Sequence, residues 1–92
     1  MNISFETIST NKIYLHTAFA GPEDGPPAFL LHGFPDAWFG WEAQIQPLAQ
    51  VGFRVIVPDQ RGYNLSDKPG GVNNYRMELL VDDILGVADS LG

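Results

Sequence analysis

The sequence predicts an α/β fold in which an antiparallel hairpin leads into a parallel β-α-β-α arrangement. Apolar and polar residues alternate through residues 3–9 and 13–19, which is typical of a hairpin with one buried face. A continuous apolar run at residues 28–32 and a segment rich in β-branched residues at 53–59 indicate two buried strands, the first buried on both faces as in a parallel sheet covered by helices. After each of these segments, apolar residues recur at spacings of three and four, which predicts a helix.

In the first half of the chain, a loop and a helix are predicted on either side of the first buried strand. Residues 20–27, "AGPEDGPP", are dense in glycine, proline and acids and predict a loop between the hairpin and the first buried strand. The first helix is expected over residues 37–51. Pro47 should break it, because proline lacks an N–H donor and disfavours helix at the residue before it.

The second half predicts a long loop and a second helix. Residues 60–74 carry three glycines, a proline and three asparagines among polar neighbours, which favours a surface loop. An apolar stripe over residues 76–91 predicts an amphipathic helix. Its acidic residues, Asp83 among them, are expected to lie largely off that stripe.

Composition limits the function classes. The 92 residues predict a single unit, residues 1–92, and the 45% apolar content suits a buried core. The net charge of −6 comes from eleven acids against five bases, and the bases form no cluster, so nucleic-acid binding has little support. There is no cysteine, signal peptide or long apolar run, so we expect a soluble cytoplasmic protein. We expect no cofactor, and two distant histidines make a metal site improbable.

The stretch "HGFPD", residues 32–36, follows the first buried strand directly. Gly33 has no Cβ and permits a sharp turn, after which Phe34 can point its backbone N–H outward while Pro35 fixes the next bond. A rigid outward N–H at the end of a strand is what an oxyanion hole requires. The alternative is a turn that only reverses the chain, with His32 as a structural imidazole.

Two linked motifs resemble the amino-terminal part of α/β-hydrolase fold enzymes, most closely the epoxide hydrolases. Residues 32–35 match the family's His-Gly-X-Pro, and a helix with a tryptophan follows. Residues 59–69 match Asp-X-Arg-Gly-X-Gly-X-Ser-X-X-Pro, except that Asn64 stands where glycine is usual. Asparagine tolerates a positive φ better than most residues, so this departure is mild.

The resemblance implies roles for the first motif. The backbone N–H of Phe34 would be one oxyanion-hole donor, and the peptide bond before Pro35 would be cis. Phe34, Pro35 and Trp38 would line the substrate pocket. His32 and Gly33 would be structural, with His32 holding the turn and not serving as the general base.

The resemblance also implies what this chain lacks. Epoxide hydrolases attack the epoxide with an aspartate on a later strand and hydrolyse the resulting ester with a water activated by a His–acid pair. No such elbow occurs here, so the chain should be inactive alone. Asp59, Arg61 and Gly62 are interpreted as ordering the second loop, and Trp41 as a core residue.

Two alternatives remain open at the level of sequence. A haloacetate dehalogenase-like enzyme would use the same ester chemistry, whereas Phe34 disfavours the haloalkane branch, which has asparagine at that position. A non-catalytic short chain could instead pair with a partner by adding a strand. In either case residues 28–32 should form an open sheet edge that a companion chain or a second copy covers.

Overall fold

The structure is a computed structural model, and it describes residues 3–33 and 37–92. The described elements are, in order, β1 (Ser4–Thr10), β2 (Ile13–Ala20), β3 (Pro27–Phe29), a 3₁₀ turn (Trp38–Trp41), α1 (Glu42–Gln50), β4 (Arg54–Pro58), a second 3₁₀ turn (Val72–Tyr75) and α2 (Met77–Leu91). Within these residues, no helix has the length and apolar character that crossing a membrane requires.

The strands form one mixed sheet in the order β1-β2-β4-β3. β1 and β2 pair as an antiparallel hairpin, closed by Asn11 and Lys12 at φ 47° and 67°. β2 pairs antiparallel with β4, and β3 pairs parallel with β4. The hairpin and the parallel pair joined through α1 are therefore confirmed.

Helices cover both faces of β4. Val55 and Val57 belong to a core cluster that also contains Ile45 and Ala49 of α1. Ile56, which points to the opposite face, packs in a second cluster with Val87 of α2. The central strand is thus buried on both faces, and the buried strand predicted from its β-branched residues is confirmed.

The strand expected over residues 28–32 is shorter and less buried than the sequence indicates. β3 spans only Pro27–Phe29, although Leu30 N still donates to Ile56 O at 3.0 Å. Phe29 and Leu30 are half-buried and Leu31 is 43% exposed. The prediction of a strand buried on both faces is wrong for this chain, because the described residues leave Phe29 and Leu30 only half-buried and Leu31 exposed at this edge of the sheet.

Two further expectations are corrected. α1 continues through Pro47, because Ile45 and Ala49 on either side of it are both buried against the sheet and hold the helix across the missing hydrogen bond. The segment 60–74 is not wholly a surface loop, since Arg61 and Ser66 are 4% and 3% exposed.

Candidate functional site

The candidate site lies at the carboxyl ends of the parallel strands β3 and β4. His32 and Gly33 follow β3, and Asp59 and Gln60 follow β4. Because parallel strands end at the same edge of a sheet, these two pairs lie side by side. In α/β folds this edge is the usual place for chemistry.

His32 is buried and is bonded to Gln60 by two hydrogen bonds. Gln60 N donates to His32 Nε2 at 3.0 Å, and Gln60 Nε2 donates to the His32 carbonyl at 2.7 Å. Since a backbone N–H can only donate, Nε2 is the accepting nitrogen and Nδ1 carries the hydrogen. Nδ1 lies 3.0 Å from Gly33 O, so one ring nitrogen is bonded to the residue after β4 and the other to the neighbouring residue Gly33.

Phe34, Pro35 and Asp36 lie outside the described residues. The predicted oxyanion donor, the predicted cis bond and the pocket contacts of Phe34 and Pro35 therefore stay predictions. The structure describes both flanks of this segment. On the carboxyl side, Ala37 is extended and 2% exposed, and Trp38 N donates to Asp59 Oδ1 at 2.6 Å.

Asp59 is fully buried, and its carboxylate accepts hydrogen bonds from three donors within residues 3–33 and 37–92. Besides Trp38 N, the donors are His16 Nδ1 at 2.8 Å and Asn64 Nδ2 at 2.9 Å, both to Oδ2. Ser66 Oγ donates to the Asp59 carbonyl at 2.5 Å. Asp59 thus connects β2, the start of the first 3₁₀ turn and the loop after β4.

Arg61 pairs with Asp83 of α2. Arg61 Nε and Nη2 donate to the two carboxylate oxygens at 2.6 and 2.7 Å, and Nη1 donates to Asn74 O at 2.7 Å. The hydrogen bonds from the guanidinium to Asp83 raise the pKa of Arg61 above its usual value, so its charge persists well into alkaline pH. Asp59 and Arg61 therefore have separate partners, each on a different part of the fold.

The glycine-type positions of the second motif have positive φ. Gly62 has φ 87° and lies against Tyr75, where a Cβ would come within 2.6 Å of the ring. Asn64 has φ 46°, so asparagine occupies the left-handed region at the position where the family usually has glycine. Asn64 therefore has the positive φ that asparagine tolerates better than most residues.

A cleft of ≈ 260 Å³ opens beside the first motif. It is lined by His32, Gly33, Gln60, Tyr63, Met77 and Leu80. The Tyr63 ring meets the His32 ring edge-on at 4.7 Å. Trp38 instead packs on the core cluster under α1 and contacts Phe5 at 5.0 Å, so its predicted place in a pocket stays a prediction. Trp41 packs on the same cluster.

Two residues of this region were missed or misplaced by sequence reasoning. Asp83 is 2% exposed, so the expectation that it lies off the apolar stripe is wrong. Its spacing from Leu80 and Val87, three and four positions, could have revealed this. Nothing in the sequence indicated that His16 contacts Asp59, because the two residues lie 43 positions apart. In the part of the chain that the structure describes, no cluster of side chains could hold a metal ion.

Comparisons with known proteins agree on one family. Residues 26–92 match the family model described as alpha/beta hydrolase fold. The chain is 58% identical over 85 residues to the AB hydrolase superfamily protein YfhM of Bacillus subtilis (strain 168). The aligned region covers 92% of this chain and 30% of that protein. It is 46% identical over 80 residues to epoxide hydrolase B of Mycobacterium tuberculosis (strain ATCC 25618 / H37Rv), covering 85% and 22% respectively.

Comparison with solved structures also finds α/β hydrolases, among them an epoxide hydrolase. The crystal structure of epoxide hydrolase A from Mycobacterium thermoresistibile matches with a TM-score of 0.96 at 35% identity, covering 99% of this chain and 28% of that one. This similarity confirms the predicted fold class. The chain spans only 22% to 30% of the length of these three proteins.

Proposed function

The chain belongs to the α/β hydrolase fold family, and we propose that it is the amino-terminal part of an epoxide hydrolase-like enzyme. Such an enzyme opens an epoxide to a diol through an aspartyl-ester intermediate. The named epoxide hydrolases among the relatives support this choice, as do the two linked motifs at residues 32–35 and 59–69.

One observation carries the role of this chain in that reaction. Consecutive residues after β4 hold both flanks of the segment 34–36, since Gln60 binds His32 and Asp59 binds Trp38 N. A segment held on both sides can present a backbone N–H in a fixed direction. This preorganisation is what makes an oxyanion donor effective, since no reorganisation is needed during the reaction.

In the proposed mechanism the Phe34 N–H acts in the second chemical step. An aspartate outside this chain first attacks an epoxide carbon, the C–O bond of the ring breaks, and the resulting alkoxide takes a proton from an acid. Water, deprotonated by a base outside this chain, then attacks the ester carbonyl. Negative charge develops on the carbonyl oxygen, and the Phe34 N–H donates to it until the diol leaves.

We propose that the 92-residue chain is inactive alone and needs the remainder of the hydrolase as a companion, or a second copy. Its share of the relatives' length supports this, as does the open side of β3. Apolar side chains next to that edge are exposed: Leu31 by 43%, Met77 by 73% and Leu85 by 58%. A surface of this kind is typical of an interface.

The activity is tested with an aryl epoxide and with a haloacetate. We expect the complete hydrolase, containing this chain and the rest of its fold, to form diol and release no halide. The isolated chain should do neither. Halide release without diol formation would favour the dehalogenase alternative, and diol formation by the pure 92-residue chain would refute the proposed division of the site.

Phe34→Ala in the complete hydrolase tests the pocket role. The donor is backbone, so we expect the substitution to raise KM more than it lowers kcat. Phe39→Ala is the matched control, because Phe39 is 50% exposed and is not predicted to contact substrate. If Phe34→Ala leaves both KM and kcat unchanged, the pocket assignment is wrong.

Hydrogen exchange tests the open edge. Leu30 N is bonded to β4, whereas neighbouring residues of a strand point their N–H groups to the opposite side. The amides of Phe29 and Leu31 should therefore exchange fast in the isolated chain and slowly in the complete hydrolase, with Leu30 as the internal control. Slow exchange of all three in the monomeric chain would contradict the need for a companion strand.

A cytoplasmic location, expected from the sequence, also stays a prediction. Fractionation of the source cells, followed by assay of epoxide opening in each fraction, tests it.

A further inference from the structure

We propose that His16 is a positioning residue for this hydrolase: its imidazole fixes the Asp59 carboxylate, which in turn fixes the carboxyl-terminal flank of the segment that carries Phe34. This inference rests on the proposed function. It assigns a task to a side chain of β2, a strand that contributes nothing to either sequence motif.

The geometry around His16 favours one orientation of its ring. Nδ1 lies 2.8 Å from Asp59 Oδ2, and an ionised carboxylate can only accept, so Nδ1 carries the hydrogen. The ring of Phe5 stacks on the imidazole at 5.1 Å with an interplanar angle of 10°. His16 is 17% exposed, so the hydrogen bond is largely shielded from water.

The path from His16 to the turn is short. Asp59 uses Oδ2 for His16 and Oδ1 for Trp38 N, at 2.8 and 2.6 Å. The two bonds lie on opposite oxygens of one carboxylate. The imidazole therefore helps to set the rotation of the carboxylate, together with Asn64 Nδ2 on the same Oδ2, and with it the place of Oδ1. Trp38 N begins the 3₁₀ turn that follows the segment 34–36.

The backbone at this point is held independently of the imidazole. Asp59 N donates to His16 O at 2.8 Å, His16 N donates to Ser66 Oγ at 2.9 Å, and Ser66 Oγ donates to Asp59 O. None of these bonds uses the side chain of residue 16, so we expect them to remain when that side chain changes. Loss of the imidazole should therefore loosen the carboxylate without detaching β2 from the loop.

The size of the expected effect follows from the position of the turn. A displacement of about 1 Å at a group that orients the reaction can lower the rate by about 100-fold. Without His16, Asp59 still accepts hydrogen bonds from Trp38 N and Asn64 Nδ2 among the described residues, so the displacement should be partial. We expect kcat for epoxide opening to fall by about 10- to 100-fold with little change in KM.

The test compares His16→Leu and His16→Asn in the complete hydrolase. The Asn side-chain amide places its nitrogen near the position of Nδ1 and can donate to Asp59, so His16→Asn should recover most of the kcat that His16→Leu loses. Hydrogen exchange over residues 33–41 should be faster in His16→Leu and near wild type in His16→Asn. Should His16→Leu not fold, His16→Gln replaces it, because its amide lies one bond further out.

Thr10→Val is the matched control. It removes a buried side-chain hydrogen bond, from Thr10 Oγ1 to Asp83 O at 2.7 Å, that belongs to neither motif. Its unfolding temperature should fall while kcat stays at the wild-type value.

Two results would overturn the inference: wild-type kcat with wild-type exchange over 33–41 in His16→Leu, or equal losses in His16→Leu and His16→Asn, which would assign the effect to ring packing on Phe5. If the wild-type hydrolase opens no epoxide, the proposed function fails. The exchange comparison then still decides whether His16 holds the turn.

Discussion

Replacing Arg61 with methionine should lower the free energy of unfolding by about 3–5 kcal/mol, because it leaves the Asp83 carboxylate buried without its counter-charge. Arg61 and Asp83 are 4% and 2% exposed, so water cannot replace the lost donors. Of the hydrogen bonds that Asp83 accepts through its carboxylate, those from Arg61 disappear and the one from Asn11 Nδ2, at 3.0 Å, remains. The loss is a large part of a typical stability of about 5–15 kcal/mol.

Urea unfolding followed by circular dichroism measures this loss. With a slope of about 1–3 kcal/mol per molar urea, the midpoint should fall by at least about 1 M. Asp83→Leu should cost a similar amount, and the double variant should cost clearly less than the sum, because it removes both buried charges. Additive losses, or a loss below about 1 kcal/mol in Arg61→Met, would refute the reasoning that the pair is a coupled buried ion pair.

The pH dependence has a definite sign. The hydrogen bonds to Asp83 raise the pKa of Arg61, so the stability that this shift contributes is fully present below the unfolded pKa and is lost only as the pH rises through the folded value. In the wild-type protein, the stability that Arg61 contributes through this shift should therefore show no loss between about pH 6 and 9, as measured by urea unfolding at both pH values.

Two further substitutions probe the packing around this pair and the loop. Gly86→Ala should destabilise the protein by about 1–3 kcal/mol in thermal unfolding, since its Cβ would come within 2.0 Å of Thr10 Oγ1, whereas Gly70→Ala, with nothing within 4 Å, should be close to neutral. Asn64→Gly relieves a positive φ but removes a hydrogen bond to Asp59, so we expect a net loss of about 1 kcal/mol. A stabilised Asn64→Gly would mean that backbone strain outweighs that bond.

The sequence predicted the element types and their order well, because each depends on local periodicity. The hairpin at residues 3–19, the buried strand β4 and the amphipathic helix α2 are all confirmed. The sequence-based prediction was less reliable where contacts with residues distant in sequence determine the local structure. Pro47 stays inside a helix because tertiary packing outweighs its local preference, and β3 ends at Phe29 because its pairing with β4 runs only from Pro27 to Phe29.

By itself the sequence determined the family. The two motifs, residues 32–35 and 59–69, are defined by residue types at fixed spacing, so they can be recognised without knowing any tertiary contact. Only the tertiary structure decided which polar side chains meet. Arg61 and Asp83 are 22 positions apart, and His16 and Asp59 are 43 apart. Pairs at such separations follow from the order of strands in the sheet and the docking of α2, which no local pattern specifies. The physical reason is that a buried charge is stable only beside a partner, and the fold as a whole brings that partner into place.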